Sequence, residues 1–403
     1  MNIAVSYQPG REAATLGALQ NAGAIASVEV FDSMAAAEPF WRRLEAGRAL
    51  TTPYQRFDFL AAWQQHVGAR GGVTPFIVTG FGHRGEPMFL WPFGRTRTGP
   101  LNIVRFLGSK HANFNMGLWR RDVAADITAQ DLHDIFDRIA AGGNRADLLV
   151  LFSQPLGWDG IANPFALLPH QSSVDHSMRV TIDRPGEELM QHLLSSAMRG
   201  RLRGKIRKLQ GLPGFRYVRA TAPADIDRLL DAFFALKSIH MAQQGLSNVF
   251  AAPGVEEFLR RACHCKLPNG RHLIELHALE ANAEILALFA VVADDYRCTS
   301  MFNSYTLSDN ARHSPGLILI RHMVIDCADR GLRGFDLGVG KADYKSVFCN
   351  EIEPLFDTIL GLTTLGHLAA PGVRIAVAAK RLIKEKPSLW ATVQAARRLR
   401  ARR

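Results

Sequence analysis

The stretch SPGLILIRHMVIDCADRGLRGFDLGVG, residues 314–340, begins with the signals of a helix start. Ser314 is a typical N-cap residue and Pro315 suits the first helical position. Apolar residues then recur at helical spacing, and FDLGV favours a strand after the helix. A helix that leads directly into a strand is half of an α/β unit, so this stretch predicts the α/β class with a mixed sheet.

The same order of elements occurs twice in the chain. Around the opening stretch, three strand-like segments lie in residues 271–305, and a helix and a strand follow in 317–339. In the first half, strand-like segments in 74–108 precede a helix-like segment at 131–141 and a strand at 146–152. The repeat predicts a tandem of two similar units.

Polar residues and the Pro-Gly pair at 172–186 suggest the link between the units. The sequence then divides into an N-terminal extension (1–27), a first unit (28–178), a second unit (179–366) and a basic tail (367–403). We expect the second unit to bind the donor and carry the catalytic residues.

Charge is concentrated in the tail. The chain has 403 residues and a net charge of +11, but residues 371–403 contain ten Lys or Arg against Glu385 alone. The rest of the chain is therefore nearly neutral, and the positive net charge of the whole chain does not indicate a nucleic-acid-binding protein. The pattern of the tail predicts two short basic amphipathic helices, which would contact an anionic inner membrane surface or a partner protein. The alternative is a disordered basic tail.

Cysteine usage and hydropathy place the protein in the cytoplasm. The five cysteines are scattered and odd in number, which does not suit a disulfide framework. The pair Cys263 and Cys265 has the wrong spacing for a common zinc site, so we expect no metal. No run of eighteen apolar residues is present, so we expect no transmembrane helix.

The second-unit helix start suits an anion better than its first-unit equivalent. Gly316 allows close approach of a ligand, Arg312 adds positive charge, and free N–H groups at a helix start favour phosphate. The first-unit equivalent has Thr128 as a cap but carries Asp126 and Asp131, which repel a pyrophosphate. The alternative for the SPG motif is a good helix start without a ligand.

The segments SPG at 314–316, FDLGVG at 335–340 and YKSVF at 344–348 resemble the CelD-like group of GNAT-type acyltransferases, which is related to the FemABX aminoacyl transferases. TPYQRFDFLAAWQQHVG, at 52–68, is similar to the family's first-unit pattern. The resemblance implies tandem GNAT-like units, acetyl-CoA or another acyl-CoA as donor, and an amine acceptor. It also implies a role in exopolysaccharide or cellulose biosynthesis.

The resemblance carries over further site residues. Gly338 and Gly340 match the family's pattern at the donor site, and His240 stands where relatives place groups that contact the acceptor. In this chain His240 is followed by Met241, where relatives often have a basic residue followed by Trp. The alternative for His240 is a satisfied histidine of the core or its rim.

Three residues are candidates for catalysis. Asp336 faces away from Phe335 and Leu337, and is either a proton acceptor in the cleft or a buried partner of an arginine. Lys345 can neutralise charge on the thioester carbonyl or leaving group, or fix a phosphate, and is otherwise a surface lysine on a turn. Tyr344 can protonate a leaving thiolate, and otherwise packs in the core.

Two other functions remain open from the sequence. The segment RGRLRGKIRK, residues 199–208, has six basic and no acidic residues. It contacts donor phosphates, a transfer RNA or an anionic glycan, or it is an exposed basic helix without a ligand. If it holds a transfer RNA, the function is aminoacyl transfer in the FemABX manner. Alternatively, the protein is a non-catalytic scaffold that docks through its tail on a polysaccharide-synthesising complex.

Overall fold

The computed structural model describes residues 25–385 except 142, 144 and 341. Its helices are α1 (Met34–Ala46), α2 (Phe57–Trp63), α3 (Arg121–Asp126), α4 (Ala129–Ala141), α5 (Gly186–Leu193), α6 (Ser196–Gln210), α7 (Pro223–Gln243), α8 (Val255–His264), α9 (Pro315–Asp329) and α10 (Thr364–Glu385). Its strands are β1 (Ser27–Phe31), β2 (Thr74–Phe81), β3 (Pro87–Thr98), β4 (Leu101–Phe106), β5 (Leu118–Trp119), β6 (Leu148–Pro155), β7 (Gly157–Trp158), β8 (Ile161–Ala162), β9 (His170–Ser172), β10 (Ser177–Thr181), β11 (Arg216–Arg219), β12 (Glu275–Ala281), β13 (Glu284–Ala293), β14 (Arg297–Tyr305), β15 (Gly334–Val339), β16 (Glu351–Glu353) and β17 (Leu355–Gly361).

Most strands belong to two large mixed sheets. The first sheet has the order β1-β2-β3-β4-β6-β17-β9, with β5 paired to β3. The second has the order β11-β12-β13-β14-β15-β10-β16. Strands β12 and β13 are buried almost throughout, because both faces of their sheet are covered by other parts of the chain.

The predicted α/β tandem is confirmed. In the first sheet, β2, β3 and β4 are antiparallel, and β6 returns parallel to β4 after α4. In the second sheet, β12, β13 and β14 are antiparallel, and β15 returns parallel to β14 after α9. Both copies therefore place a helix between the third strand and a parallel fourth strand.

One strand of the second unit crosses into the first sheet. β10 precedes the second unit's repeat and pairs with β15 in the second sheet, although the sequence suggested a link in this region. β17 follows that repeat but pairs with β6 and β9 in the first sheet. Residues 355–361, which the sequence division assigns to the second unit, thus complete the first sheet.

The units also share a core. Phe59 of α2 and Phe258 of α8 meet edge to face with ring centroids 5.2 Å apart, and one buried cluster contains both. Such shared burial fixes the orientation of the units, because separating them would expose apolar surface to water.

The ends of the chain are described in part. Residues 1–24 of the predicted extension and 386–403 of the predicted tail lie outside the described residues. The part of the tail that is described belongs to α10, which begins at Thr364 and continues to Glu385. In the described ranges, no helix combines the length and the hydropathy needed to cross a bilayer.

Candidate functional site

The second sheet opens between two parallel strands. β14 and β15 are paired at only three positions, from Arg297 with Gly334 to Thr299 with Asp336. Beyond these, β14 stays paired to β13 as far as Tyr305, while β15 follows β10. The space between 300–305 and 337–340 is here called the donor cleft. Strand edges that part in this way leave backbone groups available to an extended ligand.

The narrow end of the donor cleft is closed by the first unit. Asn113 Nδ2 donates to the carbonyl of Ser300 at 2.7 Å and to the Tyr54 hydroxyl at 3.0 Å. Gly338 has a φ of 82°, and a Cβ there would approach Ser300 O to 3.1 Å. Glycine is therefore required at position 338 both for its backbone conformation and for this close approach.

Lys345 holds the turn after β15. Its Nζ donates to the carbonyls of Gly338 at 2.8 Å, Val339 at 3.2 Å and Gly340 at 2.7 Å. These bonds use the three donors of an ammonium group. The side chain is buried, which lowers the pKa of Lys345 to about 8. It is thus not the surface lysine of the alternative interpretation, and its position under the turn suits a structural cation.

Asp336 lies in a closed ion cluster. Its carboxylate accepts a hydrogen bond from Arg297 at 3.3 Å, and Arg297 also donates to Glu353 at 2.6 and 3.1 Å. The guanidinium stacks on Trp158, 3.6 Å from the ring centroid. Burial raises the pKa of Asp336, whose side chain has no exposed surface. Of the two positions considered from sequence, the structure has the buried partner of an arginine.

Tyr344 reaches across the donor cleft. Its hydroxyl interacts with the side chain of Asn303 on β14, and burial, which is the larger effect, raises the pKa of Tyr344. The carbonyl of Asn303 accepts a hydrogen bond from Lys237 Nζ at 3.2 Å, and burial lowers the pKa of Lys237. Tyr344, Asn303 and Lys237 therefore form one polar group at the wide end of the cleft.

His240 lies one helical turn beyond Lys237 on α7. Its ring is 4.6 Å from that of Tyr305, and Nδ1 is 3.4 Å from Ser304 Oγ. Burial and the charge of Lys237 lower the pKa of His240, so the imidazole is neutral at pH 7. Among the described residues, its Nε2 has no hydrogen-bond partner. A neutral, unpartnered imidazole nitrogen is able to accept a proton.

The start of α9 is not capped by a side chain. Ser314 occupies the N-cap position as predicted, but its φ of 51° is left-handed and its hydroxyl makes no capping bond. Instead, Ser314 Oγ accepts a hydrogen bond from Lys205 Nζ at 2.6 Å. A Cβ at Gly316 would meet no atom within 4 Å. The first N–H groups of the helix are thus not used by the Ser314 side chain, and the space at Gly316 is open.

Positive charge collects at this helix start. The pKa of His313 is lowered by burial and by the charges of Arg312, Lys208 and Lys205, which places all three cations around it. Lys205 and Lys208 come from the basic helix α6, which packs on the turn at 309–313. Together with the helix dipole, these cations favour a phosphate or pyrophosphate.

The equivalent parts of the first unit are occupied by the chain itself. β4 and β6 are paired at two positions and then part. Asn115 enters this split, where its backbone N–H donates to Ser153 O at 3.0 Å and its Nδ2 to Phe152 O at 3.1 Å. At the start of α4, Thr128 and Asp131 cap each other's backbone N–H groups. The first-unit helix start is therefore already satisfied and carries a carboxylate.

Sequence reasoning did not single out Lys237, Asn303 or Asn113. Lys237 lies three residues before His240 and so shares its helix face, a signal that the sequence contains. Asn303 is on the strand expected to border a ligand, and its alternation along β14 is also readable. Asn113 comes from the other unit, and nothing in the local sequence predicts that it meets Ser300.

Residues 196–346 match the family description "Acetyltransferase (GNAT) domain". The matched residues extend from α6 through α9 to the turn at Lys345, so they include the donor cleft and the cation-rich helix start. No curated protein matches the sequence significantly.

The solved structures that resemble this chain are distant from it in sequence. FemX has 10% identity and a TM-score of 0.54, covering 83% of this chain and 97% of its own. A conserved Bacteroides thetaiotaomicron protein of unknown function has 10% identity and a TM-score of 0.50, covering 83% and 100%. A tandem GNAT protein from the clavulanic acid biosynthesis pathway has 10% identity and a TM-score of 0.41, covering 84% and 99%. The expected similarity to FemABX proteins is confirmed for the fold.

Proposed function

We propose that this protein is an acyltransferase that moves an acyl group from acetyl-CoA or another acyl-CoA to an amine. The observation that carries the proposal is the alignment of two features within the GNAT domain: an open split between β14 and β15, and a helix start with three cations and no side-chain cap. An extended thiol-bearing arm fits the first, and a pyrophosphate fits the second.

The donor lies along these two features. Its phosphates bind the N–H of Gly316 at the start of α9, with Lys205, Lys208 and Arg312 as counter-charges, since the N–H groups of Leu317 and Ile318 donate to Ser314 O. Its arm runs into the donor cleft, where the amides hydrogen-bond to the backbone between Ser300 and Tyr305. Gly316 leaves room for the phosphates, because a side chain there would point into the same space.

The reaction needs one proton accepted and one donated. The amine attacks the thioester carbonyl carbon, a C–N bond forms, and the C–S bond breaks. His240 Nε2 accepts the proton from the amine, and Tyr344, protonated at neutral pH, donates one to the departing thiolate. The products are an amide and the free thiol of CoA. Asp336 and Lys345 act as positioning residues that hold β15 and the turn at the cleft.

The acceptor is proposed from the resemblance to the CelD-like group. We assign it to amine-bearing sugars or small molecules that supply exopolysaccharide or cell-envelope synthesis. Lys237 and His240 border the wide end of the donor cleft, so an acceptor that enters there meets one cation and one neutral base.

Calorimetric titration with CoA tests donor binding. We expect one CoA per chain and about tenfold weaker binding for Lys205→Glu, since the substitution replaces an attractive charge by a repulsive one. The matched control is Arg203→Glu on the opposite side of α6, which should change affinity less than twofold. Equal losses in both variants would indicate a general charge effect and contradict a site at Ser314.

Aminoacyl transfer from a transfer RNA is the second candidate. It is favoured by the basic helix α6 and by the similarity in fold to FemX. RNA binding that weakens steeply with salt, with no affinity for CoA, would select this function. A non-catalytic scaffold would show no thermal stabilisation by CoA or by any acyl-CoA.

A further inference from the structure

A cavity of about 410 Å³ opens at one end of the first sheet. Its lining includes Thr74, Arg95, Arg97, Asn102 and Arg145, and is here called the arginine cavity. The volume lies within the usual range of small-molecule sites, about 300–1,000 Å³. The lining supplies three guanidinium groups and no carboxylate.

Strand pairing brings the lining residues of the arginine cavity together. Arg95 and Arg97 are alternate residues of β3 and therefore lie on the same face of the sheet. Thr74 of β2 is paired with Arg95, and Asn102 of β4 is paired with Arg97. Arg145 comes from the segment before β6, where its carbonyl accepts a hydrogen bond from Arg95 Nη1 at 3.3 Å. The cluster is thus built by the sheet.

Two of the three arginines have no acidic partner. In the part of the chain that the structure describes, neither Arg95 nor Arg97 forms an ion pair, and each donates only to a backbone carbonyl. Arg97 Nε donates to Gly99 O at 3.3 Å, and the half-buried Arg95 guanidinium lies 5.5 Å from the ring centroid of Phe76. Their positive charges are therefore available to a ligand.

One carboxylate lies beside the third arginine and is already engaged. Asp147 is 3.4 Å from Arg145 Nε, and its side chain is buried. It accepts hydrogen bonds from Asn102 N at 2.8 Å, Asn102 Nδ2 at 3.0 Å and Thr363 Oγ1 at 2.9 Å. These bonds hold Asp147 behind Asn102, so it balances one guanidinium charge and leaves two unbalanced.

We propose that the arginine cavity binds a phosphate dianion, either inorganic phosphate or the end group of a phosphate monoester. Its two negative charges match the two guanidinium charges that Asp147 does not balance. Arginine suits this ligand, because the planar guanidinium donates two parallel hydrogen bonds to phosphate oxygens. A monocarboxylate carries one charge and would leave one guanidinium unbalanced.

The arginine cavity is separate from the donor cleft and from its first-unit equivalent. β4 and β6 are paired at Ile103 with Leu148 and at Val104 with Leu149. Asn102 and Arg145 precede these pairs, whereas the split that Asn115 fills follows them. Phosphate in the arginine cavity therefore occupies the opposite end of the first sheet from that split, and CoA binding in the second unit should not depend on it.

Calorimetric titration of the full chain tests the proposal. The ligands are inorganic phosphate, glycerol 3-phosphate and acetate, at pH 8, where a phosphate monoester is a dianion because its second pKa is about 6. The test variant is Arg97→Glu. The control is Arg84→Glu, the same charge change at an exposed arginine in the turn at the other end of the β2–β3 hairpin. Phosphate also fits the start of α9, so each titration is repeated with saturating CoA.

We expect phosphate or glycerol 3-phosphate to bind the unaltered chain more tightly than acetate does, with CoA present or absent. Arg97→Glu should weaken this binding at least tenfold and Arg84→Glu less than twofold, since only the first places a repulsive charge in the cavity. Melting temperature and CoA affinity should not change in either variant. The tighter of the two phosphate ligands identifies the natural form.

Three results would overturn the proposal. The first is the absence of phosphate binding in the presence of CoA. The second is an equal loss in Arg97→Glu and Arg84→Glu, which would indicate attraction to surface charge in general. The third is acetate binding as tight as that of both phosphate ligands, which would contradict a site for a dianion. Each of these leaves the donor site in the second unit unaffected.

Discussion

Both units part their parallel strands at the same place in the fold, but they fill the split differently. In the first unit, Asn115 donates to the carbonyls of Ser153 and Phe152, and Thr128 with Asp131 caps the helix start. In the second unit, the donor cleft is bridged at its narrow end, and the helix start is surrounded by cations.

The difference shows how a repeated unit can hold two roles. A split between strands leaves backbone groups that must find partners. When a loop of the chain supplies those partners, the unit becomes a rigid support. When a ligand supplies them, the unit becomes a binding site.

The largest effect is expected from a carboxylate at the start of α9. Gly316→Asp should weaken CoA binding by about 100-fold, because the new side chain occupies the open space and pairs with the cations meant for phosphate. The melting temperature should hold or rise, since an acidic residue in the first turn favours the helix dipole. Calorimetry and thermal melting measure the two effects separately.

The same change in the first unit is the control. Gln130 is the second residue of α4, as Gly316 is of α9. Gln130→Asp should leave CoA affinity within twofold. A loss of affinity in Gln130→Asp similar to that in Gly316→Asp would show that the first-unit helix start also contributes to donor binding.

Replacing Lys345, the cation under the turn after β15, should weaken CoA binding less than Gly316→Asp does. Lys345→Met leaves the carbonyls of Gly338, Val339 and Gly340 without their donor, and we expect about 2–3 kcal/mol less stability by urea unfolding. CoA affinity should fall severalfold, because the turn borders the cleft. Lys110→Met at an exposed site is the control. Full activity loss with unchanged stability would make Lys345 a catalytic residue.

The ion pair between Glu275 and Arg330, at the C-terminal end of α9, should make the stability of the fold depend on pH. Glu275 accepts hydrogen bonds from Arg330 at 3.0 and 3.1 Å. Burial opposes its ionisation, but the interaction with His277, whose Nε2 lies 3.7 Å from the carboxylate, and the charge of Arg330 together lower the pKa of Glu275 from 4.5 to about 2.

A depressed carboxyl pKa stabilises the fold above pH 4.5, and this contribution is lost as the pH falls from 4.5 toward 2. Glu275→Gln should therefore lose about 2 kcal/mol at pH 7 and differ little from the unaltered chain near pH 2. Urea unfolding across this range measures the difference. A difference in the free energy of unfolding between the two chains that grows toward low pH would contradict a lowered pKa for Glu275.

The smallest effect is expected from opening the filled split. Asn115→Ala removes the hydrogen bond from Nδ2 to the carbonyl of Phe152 and keeps the backbone N–H that donates to Ser153, so it should cost about 1–2 kcal/mol. CoA stoichiometry should remain one per chain, because the start of α4 stays capped and acidic. A second CoA bound by Asn115→Ala would show that the filled split alone separates the two units.

Local patterns in the sequence predicted the repeat and the position of the helix start. The segment at 314–340 identifies α9 and β15, because Pro and Gly punctuation and apolar periodicity are local signals. Strand alternation also predicts that Asp336 points away from Phe335 and Leu337. In the structure, Phe335 and Leu337 lie in the apolar core while Asp336 bonds to Arg297.

Contacts between distant segments could not be predicted. The left-handed conformation of Ser314 depends on the turn before it and on Lys205 from another helix. Asn113 reaches Ser300 across 187 positions of sequence, and β17 crosses into the first sheet. The three carbonyls that surround Lys345 converge only because Gly338 and Gly340 turn the backbone through positive φ. Tertiary geometry determines each of these.

Hydrogen–deuterium exchange with saturating acetyl-CoA tests the central claim most directly, because it locates the ligand on the chain. We predict slower exchange in residues 300–305 and 314–320, which line the donor cleft and the start of α9. Exchange in 129–135 and 151–155 of the first unit should not change. Protection of the first-unit segments, or of neither set while CoA is bound, would contradict a single donor site in the second unit.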